Sequence, residues 1–139
     1  MNLKIADLMA KRVVSAQPHH TVEHVRKLFT NNRIHAVPVV GPEQELLGLV
    51  STADLMDDLK AGTPVSSVMT RDVRTIPAYN DVSAAARMMR RHKIHHAVVT
   101  HEKKVVGMLS SFDLLKLIEG HRFTMQAAPT ATKRRRKGS

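Results

Sequence analysis

The chain has 139 residues, 42% of them apolar, enough to build a core in one compact unit or in two small units sharing an interface. Lys plus Arg number 22 against 12 Asp plus Glu, a formal net charge of +10, which first suggests a polyanionic partner such as nucleic acid, a membrane surface or a phosphorylated ligand. The absence of cysteine excludes disulfides, thiolate metal sites and thiol nucleophiles, and an aromatic content of 3% argues against binders that stack bases on exposed rings.

In chain order, Met1-Asn2-Leu3-Lys4 leads into mixed polar and apolar sequence rather than a signal-peptide core. No apolar run reaches the roughly 18 residues that span a bilayer, so a cytoplasmic protein without membrane association is expected. A short amphipathic turn follows (Ile5, Leu8, Met9), then an extended piece, Val13–Ala16, ending near Pro18. Thr21 is a candidate N-cap for a helix whose apolar positions Val22, Val25, Leu28 and Phe29 have helical spacing. The β-branched run Val37–Val40, a Gly41-Pro42 turn and the run Leu46–Val50 predict an antiparallel hairpin. A closing helix is expected from near Ser51, carrying Leu55, Met56 and Leu59.

After Gly62-Thr63-Pro64 the same order returns. Val65, Val68 and Met69 repeat the opening turn, and Val73–Ile76 the extended piece. Asp81 stands as N-cap before Val82, Ala85, Met88 and Met89; Ala97–Val99 and Val105–Leu109 repeat the hairpin; Ser110 begins a closing helix with Leu114, Leu115, Leu117 and Ile118. Ile34-His35-Ala36-Val37-Pro38-Val39-Val40 recurs as Ile94-His95-His96-Ala97-Val98-Val99-Thr100, and Gly48-Leu49-Val50-Ser51-Thr52-Ala53-Asp54-Leu55 as Gly107-Met108-Leu109-Ser110-Ser111-Phe112-Asp113-Leu114. The unit is β-α-β-β-α, an α+β arrangement written twice, over residues 1–60 and 61–120. Each copy is too small to bury its own apolar face, so a pseudo-twofold pair is expected. Residues 121–139 are low in complexity, contain the basic run Lys133-Arg134-Arg135-Arg136-Lys137, and are expected to be disordered.

With both signatures in order, twice, the sequence resembles a tandem pair of cystathionine-β-synthase (CBS) domains, the Bateman module, over about residues 3–119. The resemblance implies two domains packed through small sheets, with clefts between them that take an adenosine derivative such as AMP, ADP, ATP or S-adenosylmethionine. It further implies a regulatory rather than catalytic role, no required cofactor, and homodimers.

The chemistry of these residues supports such a site. A ribose offers two vicinal hydroxyl donors, and a carboxylate accepts both in charge-assisted hydrogen bonds. Asp54 and Asp113 each follow a serine, Ser51 and Ser110, by three residues, which puts serine and carboxylate on one face of the closing helix. The serines sit where free helix amides favour a phosphate. The same Ser-x-x-Asp spacing is also an ordinary helix cap; its doubled occurrence favours Asp113 as a ligand residue and leaves Asp54 open. His35 and His95 match each other, and His96 follows only in the second copy. The resemblance would put a His-Arg pair here, and neither copy has the arginine. The second-copy site is therefore read as His95, His96, Ser110 and Asp113. The opposing wall is expected near Ser15 to His20, where His19 and His20 either reach the phosphate or stand in solvent.

His92, His95 and His96 have i, i+3, i+4 spacing but straddle a helix end and a strand start, so no metal site is expected. No nucleophile elbow, Walker loop or zincin motif is present, and no enzyme activity is expected. The expected function is a ligand sensor that alters the conformation or assembly of an effector protein; the alternatives are weak nucleic-acid binding through the tail and a ligand-free dimerisation module. The charge is uneven: residues 1–60 hold seven basic and seven acidic side chains, residues 61–119 nine and five, and the remaining six basic residues are Arg122 and Lys133–Lys137.

Overall fold

The computed structural model describes residues 3–119, so the expected basic tail lies outside the described residues. The chain opens with one helical turn, α1 (Ile5–Leu8), and the first long helix is α2 (Val22–Asn32). Thr21 caps α2 as its position predicts, its side chain accepting from the His24 amide at 3.1 Å. Val22, Val25 and Phe29 form the buried stripe. Strands β1 (Ala36–Val40) and β2 (Leu46–Ser51) pair antiparallel, with a register shift between Val39 and Val40. The second copy supplies β3 (Thr75–Pro77), α3 (Val82–His92), β4 (His96–His101), β5 (Lys104–Ser110) and α4 (Ser111–Glu119). β3 runs parallel to β4, and β4 antiparallel to β5. The result is the expected α+β arrangement of two small sheets.

Three expectations differ from the fold. The first-copy strand Val13–Ala16 shrinks to one parallel bridge, Ala16 to Val39, where the second copy has three paired residues. The first-copy closing helix is only a 3₁₀ turn, Thr52–Leu55. There the Leu55 carbonyl accepts from Arg26 Nη2 at 3.0 Å instead of from a following turn, and Asp57-Asp58 would put two negative charges where a helix C-terminus disfavours them. The chain is also drawn back to α2, whose first amides on Val22 and Glu23 donate to the Thr63 and Ala61 carbonyls at 2.8 and 3.2 Å. Finally, Asp81 does not cap α3 with its side chain; its carboxylate pairs with Lys4 Nζ at 2.9 Å, which holds it below the usual carboxylate range.

The two copies interleave. Ile5 joins the core formed by Ile76, Val82, Ala85, Met89, Ala97, Val99 and Leu109 of the second copy, whereas Val65 joins Ala16, Val22, Val25, Val37, Val39 and Val50 of the first. Each leading segment therefore packs on the other copy. The backbone bonds obey the pseudo-twofold: Ala10 and Met108 exchange amide bonds at 2.9 and 3.2 Å, as Thr70 and Leu49 do at 2.9 and 2.8 Å. Gly48 and Gly107 permit this crossing. A Cβ on Gly48 would stand 2.9 Å from the Thr70 carbonyl and one on Gly107 3.1 Å from that of Ala10, with Met69 and Met9 against them as well. A third cluster of Val40, Val98 and Val105 lies between the hairpins, which Glu45 and Lys104 bridge.

Candidate functional site

The crossing of the leading segment over β5 opens a cavity of about 640 Å³ between the copies. One wall is Ala10, Arg12 and Val14 from the leading segment; another is Arg33 to Ala36, where α2 ends and β1 begins. Facing them are His95 and His96 at the start of β4, Met108 and Ser110 of β5, and Ser111, Phe112 and Asp113 of α4. The cavity thus takes residues from four separate stretches of chain, and its lining mixes the apolar Ala10, Val14, Ile34, Ala36 and Met108 with charged and polar side chains.

Asp113 is pinned. The Ser110 amide donates to Asp113 Oδ2 at 2.8 Å, and the Asp113 amide donates to Ser110 Oγ at 3.0 Å, a reciprocal cap at the start of α4. Its side chain is 16% exposed, and Oδ1 lies 3.4 Å from Lys116 Nζ. Capping and facing the cavity are therefore compatible, because the cap occupies one carboxylate oxygen and holds the rotamer. Ser111 is fixed too: its amide donates to the His95 carbonyl at 2.8 Å, and its Oγ lies 3.3 Å from His95 Nδ1. The half-buried His96 has a pKa below the ordinary histidine value, chiefly because burial disfavours the imidazolium, then because of His95 and His35; Asp113 acts in the opposite sense.

Of the residues singled out from the sequence, the cavity brings together Asp113, Ser110, His95, His96 and His35. Ser51 and Asp54 stand outside it at the pseudo-symmetric position, where the Ser51 amide donates to Asp54 Oδ2 at 2.8 Å and Ser51 Oγ lies 3.2 Å from the same oxygen. His19 and His20 also lie outside: His20 Nδ1 accepts from the Gln17 amide at 2.9 Å, and its ring packs against those of His19 and His24 at 4.7 and 4.3 Å. The opposing wall is thus residues 10–14 rather than Ser15 to His20. Arg12 and Arg33 are the residues that sequence reasoning missed. Arg33 ends α2 in the left-handed region, φ 54°, as Lys93 ends α3 at φ 54°; that matched pair of helix ends is a signal in the repeat. Among the described residues, no group of three or more His, Asp or Glu is placed to hold a metal ion, and no helix is long and apolar enough to cross a membrane.

The family model described as CBS domain matches residues 5–61 and 65–120. The protein MJ1232 of Methanocaldococcus jannaschii is 31% identical over 121 residues, covering 86% of this chain and 40% of that protein. The curated relatives are longer, this chain spanning less than half of the length of each of the first several. Among solved structures, the CBS domain pair of MJ0100 in complex with 5′-methylthioadenosine and S-adenosyl-L-methionine superposes with a TM-score of 0.79 at 23% identity, over 86% of this chain and 98% of that one. CBSX2 in complex with AMP gives 0.76 at 20% identity, over 84% and 96%.

Proposed function

The chain belongs to the CBS domain family and carries two copies of the domain, and from that premise we propose that it is a non-catalytic, cytoplasmic sensor that binds an adenosine derivative in the cavity between them. Asp113 accepts the ribose hydroxyls, Ser110, Ser111 and the first amides of α4 face the phosphate side, and Ala10, Val14, Ile34, Ala36 and Met108 form the apolar walls for the adenine. The observation that carries the reading is a carboxylate locked by its own cap on the wall of a cavity of about 640 Å³, a volume suited to a small-molecule ligand. The ligands held by MJ0100 and CBSX2 support the adenosyl class. Differential affinity for two arrangements of the copies supplies the signal, passed to an effector protein. The exposed apolar residues of α4 support a homodimer.

A thermal-shift panel of AMP, ADP, ATP and S-adenosylmethionine tests the reading. Saturation at 100 times Kd stabilises by about 2.7 kcal/mol, a shift of several degrees in a domain of this size. Asp113→Asn keeps an acceptor for the Ser110 amide but loses the charge, so it weakens ligand binding about tenfold or more with little change in unliganded melting temperature. A full shift retained in Asp113→Asn, or no shift with any of the four, contradicts the reading.

A further inference from the structure

The cavity and the matching positions of the repeat are unlike in charge. The cavity holds two guanidiniums, Arg12 and Arg33, and three imidazoles, His35, His95 and His96, against one carboxylate, Asp113, which already has Lys116 3.4 Å away. Among the described residues, neither guanidinium has a carboxylate within 4.0 Å. At the matching positions of the repeat, Asp72 replaces Arg12, Lys93 replaces Arg33, Arg74 replaces Val14 and Ala36 replaces His96. Where Lys116 pairs with Asp113, the first copy has Asp57 three residues after Asp54. Two positions therefore reverse sign, both making the cavity the more positive of the pair.

Resting on the adenosyl reading above, we propose that Arg12 and Arg33 are specificity-determining residues that restrict the cavity to phosphorylated adenosine ligands and confine that ligand to this cavity rather than to the matching positions of the repeat. An adenosine monophosphate carries close to two negative charges at neutral pH. A guanidinium can meet its phosphate oxygens with two parallel N–H donors. S-adenosylmethionine carries a sulfonium and an ammonium against one carboxylate, so it brings net positive charge toward two uncommitted guanidiniums, a repulsion that the half-open cavity and the exposure of Arg12 and Arg33 leave partly screened. Adenosine has no anionic group for either arginine to pair with. At the matching position of the repeat Asp72 stands where Arg12 would meet the phosphate, which disfavours a second anion there.

Isothermal titration calorimetry of the full chain with AMP, adenosine and S-adenosylmethionine tests this, using wild type, Arg12→Ala, Arg33→Ala and Arg12→Lys. The expected result is one AMP per chain, bound roughly tenfold or more tighter than adenosine or S-adenosylmethionine. Arg12→Ala and Arg33→Ala each cut the AMP-to-adenosine ratio several-fold, and Arg12→Lys restores part of it. Equal affinity for AMP and S-adenosylmethionine, an unaltered ratio in both alanine variants, or two equivalent AMP sites overturns the inference while leaving an adenosyl sensor standing. Binding of none of the three overturns the adenosyl reading itself, and this inference with it.

Discussion

His96 sits among His35, His95, Arg12 and Arg33, with Asp113 as the carboxylate on the same cavity wall. Burial comes first in lowering its pKa below the ordinary 6.5, followed by His95 and His35. The unfolded chain therefore takes up this proton more readily than the folded one, so the stability that neutral His96 contributes is present above about pH 6.5 and is lost as the pH falls through the window below it. His20 moves in the same direction through burial, His24 and His19, so only a comparison isolates His96. Urea midpoints measured from pH 8 to pH 5 are expected to fall more steeply below pH 6.5 for wild type than for His96→Asn. Parallel curves for the two proteins would rule out this role for His96. The Ser110–Asp113 cap was legible because Ser-x-x-Asp occurs twice at matched positions. The place of His20 was not: its ring bonds locally to the Gln17 amide, and a loop contact of that kind leaves no periodic trace.

At the scale of elements, apolar spacing was a sound guide wherever a helix or strand packs on its own copy. α3, β4 and β5 lie where the pattern predicts because Val82, Ala85, Met89, Ala97, Val99 and Leu109 meet in the core of their own copy. The first-copy closing helix was not legible because its competitors are distant in sequence: Arg26 takes the Leu55 carbonyl, and the N-terminus of α2 takes those of Ala61 and Thr63. Its counterpart α4 is a full helix with an unusual outer face, since Phe112, Leu115 and Ile118 are 73%, 53% and 58% exposed. Met56, matching Leu115 in the first copy, is 82% exposed. A stripe of this kind on a surface helix marks an interaction face, and a second copy is its expected occupant. Sedimentation velocity at micromolar concentration should give twice the 15.5 kDa chain mass. Leu115→Glu should return the monomer, since a carboxylate buried there without a partner is costly. A wild-type monomer at that concentration contradicts the dimer.

For the molecule as a whole, the repeat was visible in the sequence but the exchange between its halves was not. Ile5 completes the second core and Val65 the first, an arrangement that no local pattern encodes and that only the chain's closure in space reveals. That exchange is what brings Arg12 and Val14 opposite Asp113 and so makes the cavity a joint product of both copies. On the proposed function, a ligand held between the leading segment and α4 touches both halves at once and biases how they sit together to the extent that it binds one arrangement more tightly. The +10 of the sequence is accordingly less telling than its placement, with two arginines of the first copy turned toward the cavity.

Methyl-labelled methionine provides the most direct test of that joint cavity, because Met108 lines it whereas Met56 is exposed outside it. On titration with AMP, the Met108 methyl resonance should shift and saturate with the same Kd that calorimetry reports, and Met56 should stay in place. A saturating AMP response that leaves Met108 unmoved, or no response to AMP, ADP, ATP or S-adenosylmethionine at millimolar concentration, would contradict an adenosine-derivative site between the two CBS copies.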